Sequence, residues 1–103
     1  MRVMMRVEMD TERANAAARD GTLGPTISSI LEEMQPEAAY FIASNGCRTG
    51  VIVADIADQS EMPRITEPWF LAFNARVEVL PAMTAEDVGK AGPAIEQAAK
   101  TYD

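Results

Sequence analysis

Histidine is missing from this chain altogether, and Cys47 is its only cysteine. Without His the commonest general base is gone. So are the Ser-His-Asp and Cys-His arrangements and His-ligated zinc, haem and non-haem iron. One Cys builds neither an internal disulfide nor a thiolate metal cluster. Cations are also scarce: nine Lys and Arg stand against sixteen Asp and Glu, a formal net charge of -7. With no basic cluster, that balance disfavours nucleic acid and anionic membrane surfaces, both of which are bound through local positive charge. No apolar run approaches the roughly eighteen residues of a membrane span. Residues 1–9, MRVMMRVEM, are interrupted by Arg2, Arg6 and Glu8 and lack a continuous apolar signal core and a small-residue cleavage site, so a cytoplasmic location is the default expectation. GTLGP lacks the GxxxxGKS/T phosphate-loop pattern, GxGxxG is absent, and the acidic residues form no Mg²⁺ motif. No metal and no cofactor is therefore expected. Aromatics make up 6% of the chain against seven Met, which points to a soft core rich in small side chains.

What is present is organised around residues 38–56, AAYFIASNGCRTGVIVADI. Two runs rich in Tyr, Phe, Ile and Val suit strands, and Asn45-Gly46 between them supplies the positive φ angles of a tight hairpin turn. A two-residue turn sets Ser44 opposite Cys47, Ile42 opposite Thr49 and Tyr40 opposite Val51. Tyr40, Ile42, Val51 and Val53 then share one face, and Ala39, Phe41, Ile52, Ala54 and Ile56 the other. Both faces are apolar. One helical layer covers one of them, so the other calls for a second cover, which argues for a partner subunit.

The 103 residues suffice for one domain, 1–103, with a modest core. Arg2–Met9 alternates as a strand, with Val3, Met5, Val7 and Met9 on one side. Asp10 or Thr11 caps an Ala-rich helix that Gly21 and Gly24-Pro25 interrupt. Ile27, Ile30, Leu31 and Met34 recur at the helical period up to Pro36. Asp58 or Ser60 caps the next helix, with Pro63 in its first turn. Pro68 is expected to bend or break that helix before Trp69. Ala75–Leu80 alternates again and closes at Pro81, which suits an edge strand. Thr84 and Asp87 form a partial capping box, and Gly92-Pro93 divides the last helical stretch. The order is β-α-β-β-α-β-α.

That order, with its short first strand, central hairpin and closing ARVEVLPAM strand, resembles a ferredoxin-like α+β sandwich, βαββαβ with an additional C-terminal helix. The segments DGTLG (20–24), PEAAYF (36–41), EPWFLAFN (67–74) and PAMT (81–84) are similar to those of uncharacterised small bacterial proteins of the dimeric α+β barrel superfamily. The resemblance implies a homodimer with apposed sheets and, in some members, a small hydrophobic substrate held between sheet and helices. Monooxygenases, isomerases and non-enzymatic proteins share that architecture, so it names no activity.

Two constellations carry chemistry. Arg6, Glu8, Arg76 and Glu78 alternate on the first and last strands, which neighbour each other in such a sheet. They read either as structural cross-strand pairs or as an anion or enolate site in which an Arg holds developing charge. Tyr40, Trp69, Phe70, Phe73 and Asn74 read either as core or as the wall of a pocket for an aromatic molecule, with Arg6 or Asn74 near its mouth. Ile42, Val51 and Val53, with Tyr40, are the candidates for a dimer face. Cys47 has only Arg48 nearby to stabilise a thiolate, which speaks against catalysis. Three functions compete. The first is a small homodimeric protein, structural or binding a small apolar or aromatic ligand. The others are a cofactor-independent monooxygenase or isomerase, and a protein-interaction module.

Overall fold

Alternation in the first nine residues builds the central strand of the molecule. The computed structural model describes residues 1–103, with β1 spanning Arg2–Glu8. Val3, Met5, Val7 and the following Met9 are each at most 1% exposed, whereas the intervening Arg2, Met4, Arg6 and Glu8 face the other way. The remaining elements are α1 (Thr11–Asp20), α2 (Leu23–Met34), β2 (Ala38–Ser44), β3 (Cys47–Asp55), a 3₁₀ turn (Gln59–Glu61), α3 (Met62–Phe73), β4 (Arg76–Pro81), α4 (Ala85–Lys90) and α5 (Gly92–Thr101). The four strands form one antiparallel sheet in the order β2-β3-β1-β4, so the protein is α+β, and the arrangement is consistent with a ferredoxin-like sandwich. No helix is long and apolar enough to cross a membrane.

The hairpin takes the expected register, with Ser44 paired to Cys47, Ile42 to Thr49 and Tyr40 to Val51. Asn45 and Gly46 have φ of 53° and 73°, the two positive values that match the turn to the twist of its strands. Local chemistry ends the helices where the sequence indicates. Asp10 accepts a hydrogen bond from the Arg13 amide to open α1, and Gly21 closes it in the left-handed conformation. Thr22 links directly into α2, with Pro25 near its start. Thr84 and Asp87 make both bonds of a capping box, although Asp stands where Glu or Gln is usual.

α3 departs from expectation. It runs unbroken from Met62 to Phe73 with Pro68 inside it. Proline removes the donor that would serve the Arg64 carbonyl. The loss is outweighed by the helix face that remains continuous across it: Ile65 and Trp69 are fully buried and Phe73 nearly so, and the Trp69 and Phe73 rings stack with centroids 6.2 Å apart. Together with Ile30 and Met34 of α2 and Ala14 and Ala17 of α1, these residues cover one face of the sheet and enclose the core. Two side chains tie the helical layer together. Arg13 donates to the Leu71 carbonyl, and Arg64 to the Met34 carbonyl.

The C-terminal end is built differently. No residue of α4 or α5 is buried, and the two helices pack substantially against no element except each other. The molecule measures 58 × 28 × 20 Å with a radius of gyration of 17.1 Å, against about 13 Å for a compact chain of this length.

Candidate functional site

The open face of the sheet gathers most of the residues with unexplained chemistry. Register places three rows across all four strands: Ala38, Val53, Met4 and Leu80; Tyr40, Val51, Arg6 and Glu78; Ile42, Thr49, Glu8 and Arg76. No helix covers these rows. Tyr40 is 68% exposed, Ile42 46%, Leu80 45% and Met4 40%, while Val51 and Val53 are half-buried. The apolar surface lies towards the Met4 row and along β2, and the charges cluster at the Glu8 row.

Glu8 is the centre of that cluster. Its side chain is largely covered; Oε1 accepts from Asn45 Nδ2 at 3.0 Å and from Arg6 Nη2 at 3.2 Å, and Oε2 stands 3.8 Å from Arg76 Nη2. The Asn45 amide first, then Arg6 and Arg76, holds the Glu8 carboxyl below the usual carboxylate range against the opposing effect of burial. Arg6 also donates to Ser44 Oγ. The register sets Arg6 opposite Glu78 and Glu8 opposite Arg76, but Arg6 turns along its own strand to Glu8 rather than across to Glu78. Arg6 is thereby neutralised by a carboxylate, the arrangement of a structural pair. The sequence assigns Ser44 and Asn45 to the hairpin and its turn, not to this cluster. Asn45 reaches Glu8 and Ser44 reaches Arg6 because the hairpin turn returns over the end of β1.

The six pocket candidates do not converge. Arg6 and Tyr40 lie on the open face. Trp69 and Phe73 are buried beneath the opposite face, filling the core against which a ligand would have to compete. Phe70 is 40% exposed on the outer side of α3, and Asn74 caps that helix in the left-handed conformation with φ of 47°. α3 stays continuous through Pro68, and the cleft of about 540 Å³ that Pro68 lines lies between α2 and α3, with no strand residue and none of the six candidates in its wall.

A different apolar cleft of about 340 Å³ lies between the hairpin and α2. Met9, Leu23, Ile27, Phe41 and Ile42 supply its apolar walls, and Arg48 stands at its rim. Gly50 shapes it. A Cβ there would sit 3.1 Å from Phe41 Cε1, so the glycine lets the ring lie against the strand. The sequence offered one signal for this site, a glycine directly opposite an aromatic in the hairpin register. Cys47, half-buried at the hairpin, receives the Thr11 hydroxyl at 3.7 Å and has no basic partner. No group of three or more Cys, Asp or Glu side chains is arranged to hold a metal ion. No protein-family model and no curated protein matches the chain.

Proposed function

We propose that the protein acts as a homodimer joined through the open faces of its two sheets, with a small apolar or aromatic ligand taken up in the cleft between hairpin and α2. The observation that carries this reading is the uncovered face itself. Met4, Tyr40, Ile42 and Leu80 are exposed together on a sheet whose other side carries the core, and contiguous apolar surface of this kind marks an interaction site. An antiparallel sheet tolerates one wet face when that face is polar; here one of the three rows is wholly apolar and a second carries Tyr40 and Val51 beside its two charges. The ferredoxin-like architecture and the resemblance to dimeric α+β barrel proteins support the same assembly. The cleft supports the ligand part, because walls dominated by apolar side chains with one charged group at the rim suit a small aromatic anion.

Sedimentation equilibrium tests the assembly. The full chain is expected to be a dimer at micromolar concentration, and Tyr40→Glu is expected to weaken it at least about tenfold by placing two like charges in an apolar contact. A monomeric wild type, or a Tyr40→Glu protein with unchanged association, overturns the sheet-face dimer. Benzoate serves as the probe for the cleft. It is expected to raise the melting temperature of the wild type, and of a Leu23→Trp variant with a filled cleft not at all. Equal shifts in both place the ligand elsewhere.

A further inference from the structure

The segment beyond Thr84 has no structural reason to exist as drawn by its own chain. α4 has six residues and α5 ten, lengths at which a helix is marginal in water without packing. Neither buries a residue, and neither packs substantially against any element but the other. Their sequence is nevertheless patterned for burial. Val88, Ala91, Ile95, Ala98 and Tyr102 recur at spacings of three, four, three and four, the narrow apolar seam by which one helix meets another. Ile95 is 58% exposed and Tyr102 85%.

We propose that α4–α5 is an arm whose seam packs against a second copy of this chain. The inference rests on the homodimer reading and adds the element that completes the interface. Area supports a second copy as the occupant. The chain exposes 6758 Å², about 1,000 Å² more than the roughly 5,700 Å² of a compact monomer of 11.2 kDa. That excess is close to the about 800 Å² each partner contributes to a standard stable interface. Position in the chain supports it too. The arm follows the edge strand β4 directly after exposed Leu80 and Met83, and the capping box at Thr84 and Asp87 fixes where its first helix starts. Charge is compatible: in α5 the seam is flanked by Gly92, Ala94, Ala99 and Thr101, none charged, so two chains of net charge -7 can meet there without facing carboxylates. A basic partner would instead have selected an acidic seam.

Two substitutions in the full chain, Ile95→Glu and Tyr40→Glu, separate this inference from the reading beneath it, with Ile95→Leu as the conservative control. Buried Trp69 fluorescence reports that each variant keeps its core, which the arm does not touch. Sedimentation equilibrium is expected to show a wild-type dimer, an Ile95→Leu dimer of the same affinity, and at least a tenfold loss in Ile95→Glu. A dimer broken by Tyr40→Glu but unmoved by Ile95→Glu overturns the arm and keeps the sheet contact. A dimer broken by Ile95→Glu but unmoved by Tyr40→Glu keeps the arm and overturns the sheet contact. A monomeric wild type overturns both.

Discussion

The two faces of the sheet are made by the same strands, often by adjacent residues, yet they have opposite fates. Val3, Met5 and Val7 are sealed against α1, α2 and α3, while Met4 and Arg6 between them are left outside. The covered face is filled beneath α3 by Trp69, Phe73 and the β1 side chains, and opens only at the cleft between hairpin and α2. The open face is organised by pairing at one end, around Glu8, and is apolar at the other. In a sheet covered on one side only, the covered layer holds the core of the single chain, and under the proposed dimer the open layer serves assembly. Substitutions on the first face should therefore change folding, and those on the second assembly.

The largest expected effect breaks the covered face. Trp69→Ala removes the largest side chain in the core, and such truncations cost about 3–5 kcal/mol. Urea unfolding followed by circular dichroism measures it. A loss below about 1 kcal/mol would mean that the core is not centred on α3. The corresponding truncation on the open face, Tyr40→Ala, should leave the single chain within about 0.5 kcal/mol of wild type, as for other exposed positions.

Much of this division can be read in the sequence, and the part that cannot has a physical cause. Period-two alternation in β1 and the Asn45-Gly46 turn fix register, and register alone assigns Tyr40, Ile42, Val51 and Val53 to one face. The sequence also shows that both faces are apolar. Pro68 misleads because its penalty is local and visible, whereas the burial of Ile65, Trp69 and Phe73 that overrides it is tertiary. The aromatic cluster misleads for a related reason. Spacing places Trp69 and Phe70 in neighbouring positions without saying that the helix turns one inward and the other out. The Glu8 cluster combines residues from β1, β4 and the hairpin turn. Its strand members are visible in the alternation, but the reach of Asn45 depends on how the turn folds back.

A smaller effect sharpens the account of the covered face. The Trp69 indole Nε1–H is buried and has no hydrogen-bond partner in the protein. An orphaned buried donor costs about 1–3 kcal/mol, which opposes the value of the ring's volume. Trp69→Phe loses part of that volume but also removes the donor, so its net cost should be about 1 kcal/mol, well under that of Trp69→Ala. Equal losses in the two variants would show that volume alone sets the stability at this position.

The smallest expected effect probes the open face, and its sign follows from the direction in which the Glu8 carboxyl is shifted. Its pKa in the folded chain lies below the ordinary value, chiefly through Asn45 and then Arg6 and Arg76. A depressed carboxyl binds fewer protons folded than unfolded, so its contribution is complete above the unfolded pKa and is lost as pH falls through the folded one. Asp20, Asp58, Glu61 and Asp87 are shifted the same way by their own turn and cap hydrogen bonds, so the acid limb of the wild type alone does not isolate Glu8. The difference between wild type and Glu8→Gln does, since the other four carboxyls are common to both. Gln keeps the side-chain shape but carries no charge to pair with Arg6 and Arg76. Melting temperatures measured from about pH 7 down to about pH 3 should show the wild type more stable at the upper end and the two curves converging below the ordinary Glu range of about 4.3. Because the site is near the surface, the gap should shrink in high salt, unlike any difference made on the covered face. A gap that stays constant with pH would assign Glu8 a packing role in place of an electrostatic one, and the open face would then be held at both ends by shape.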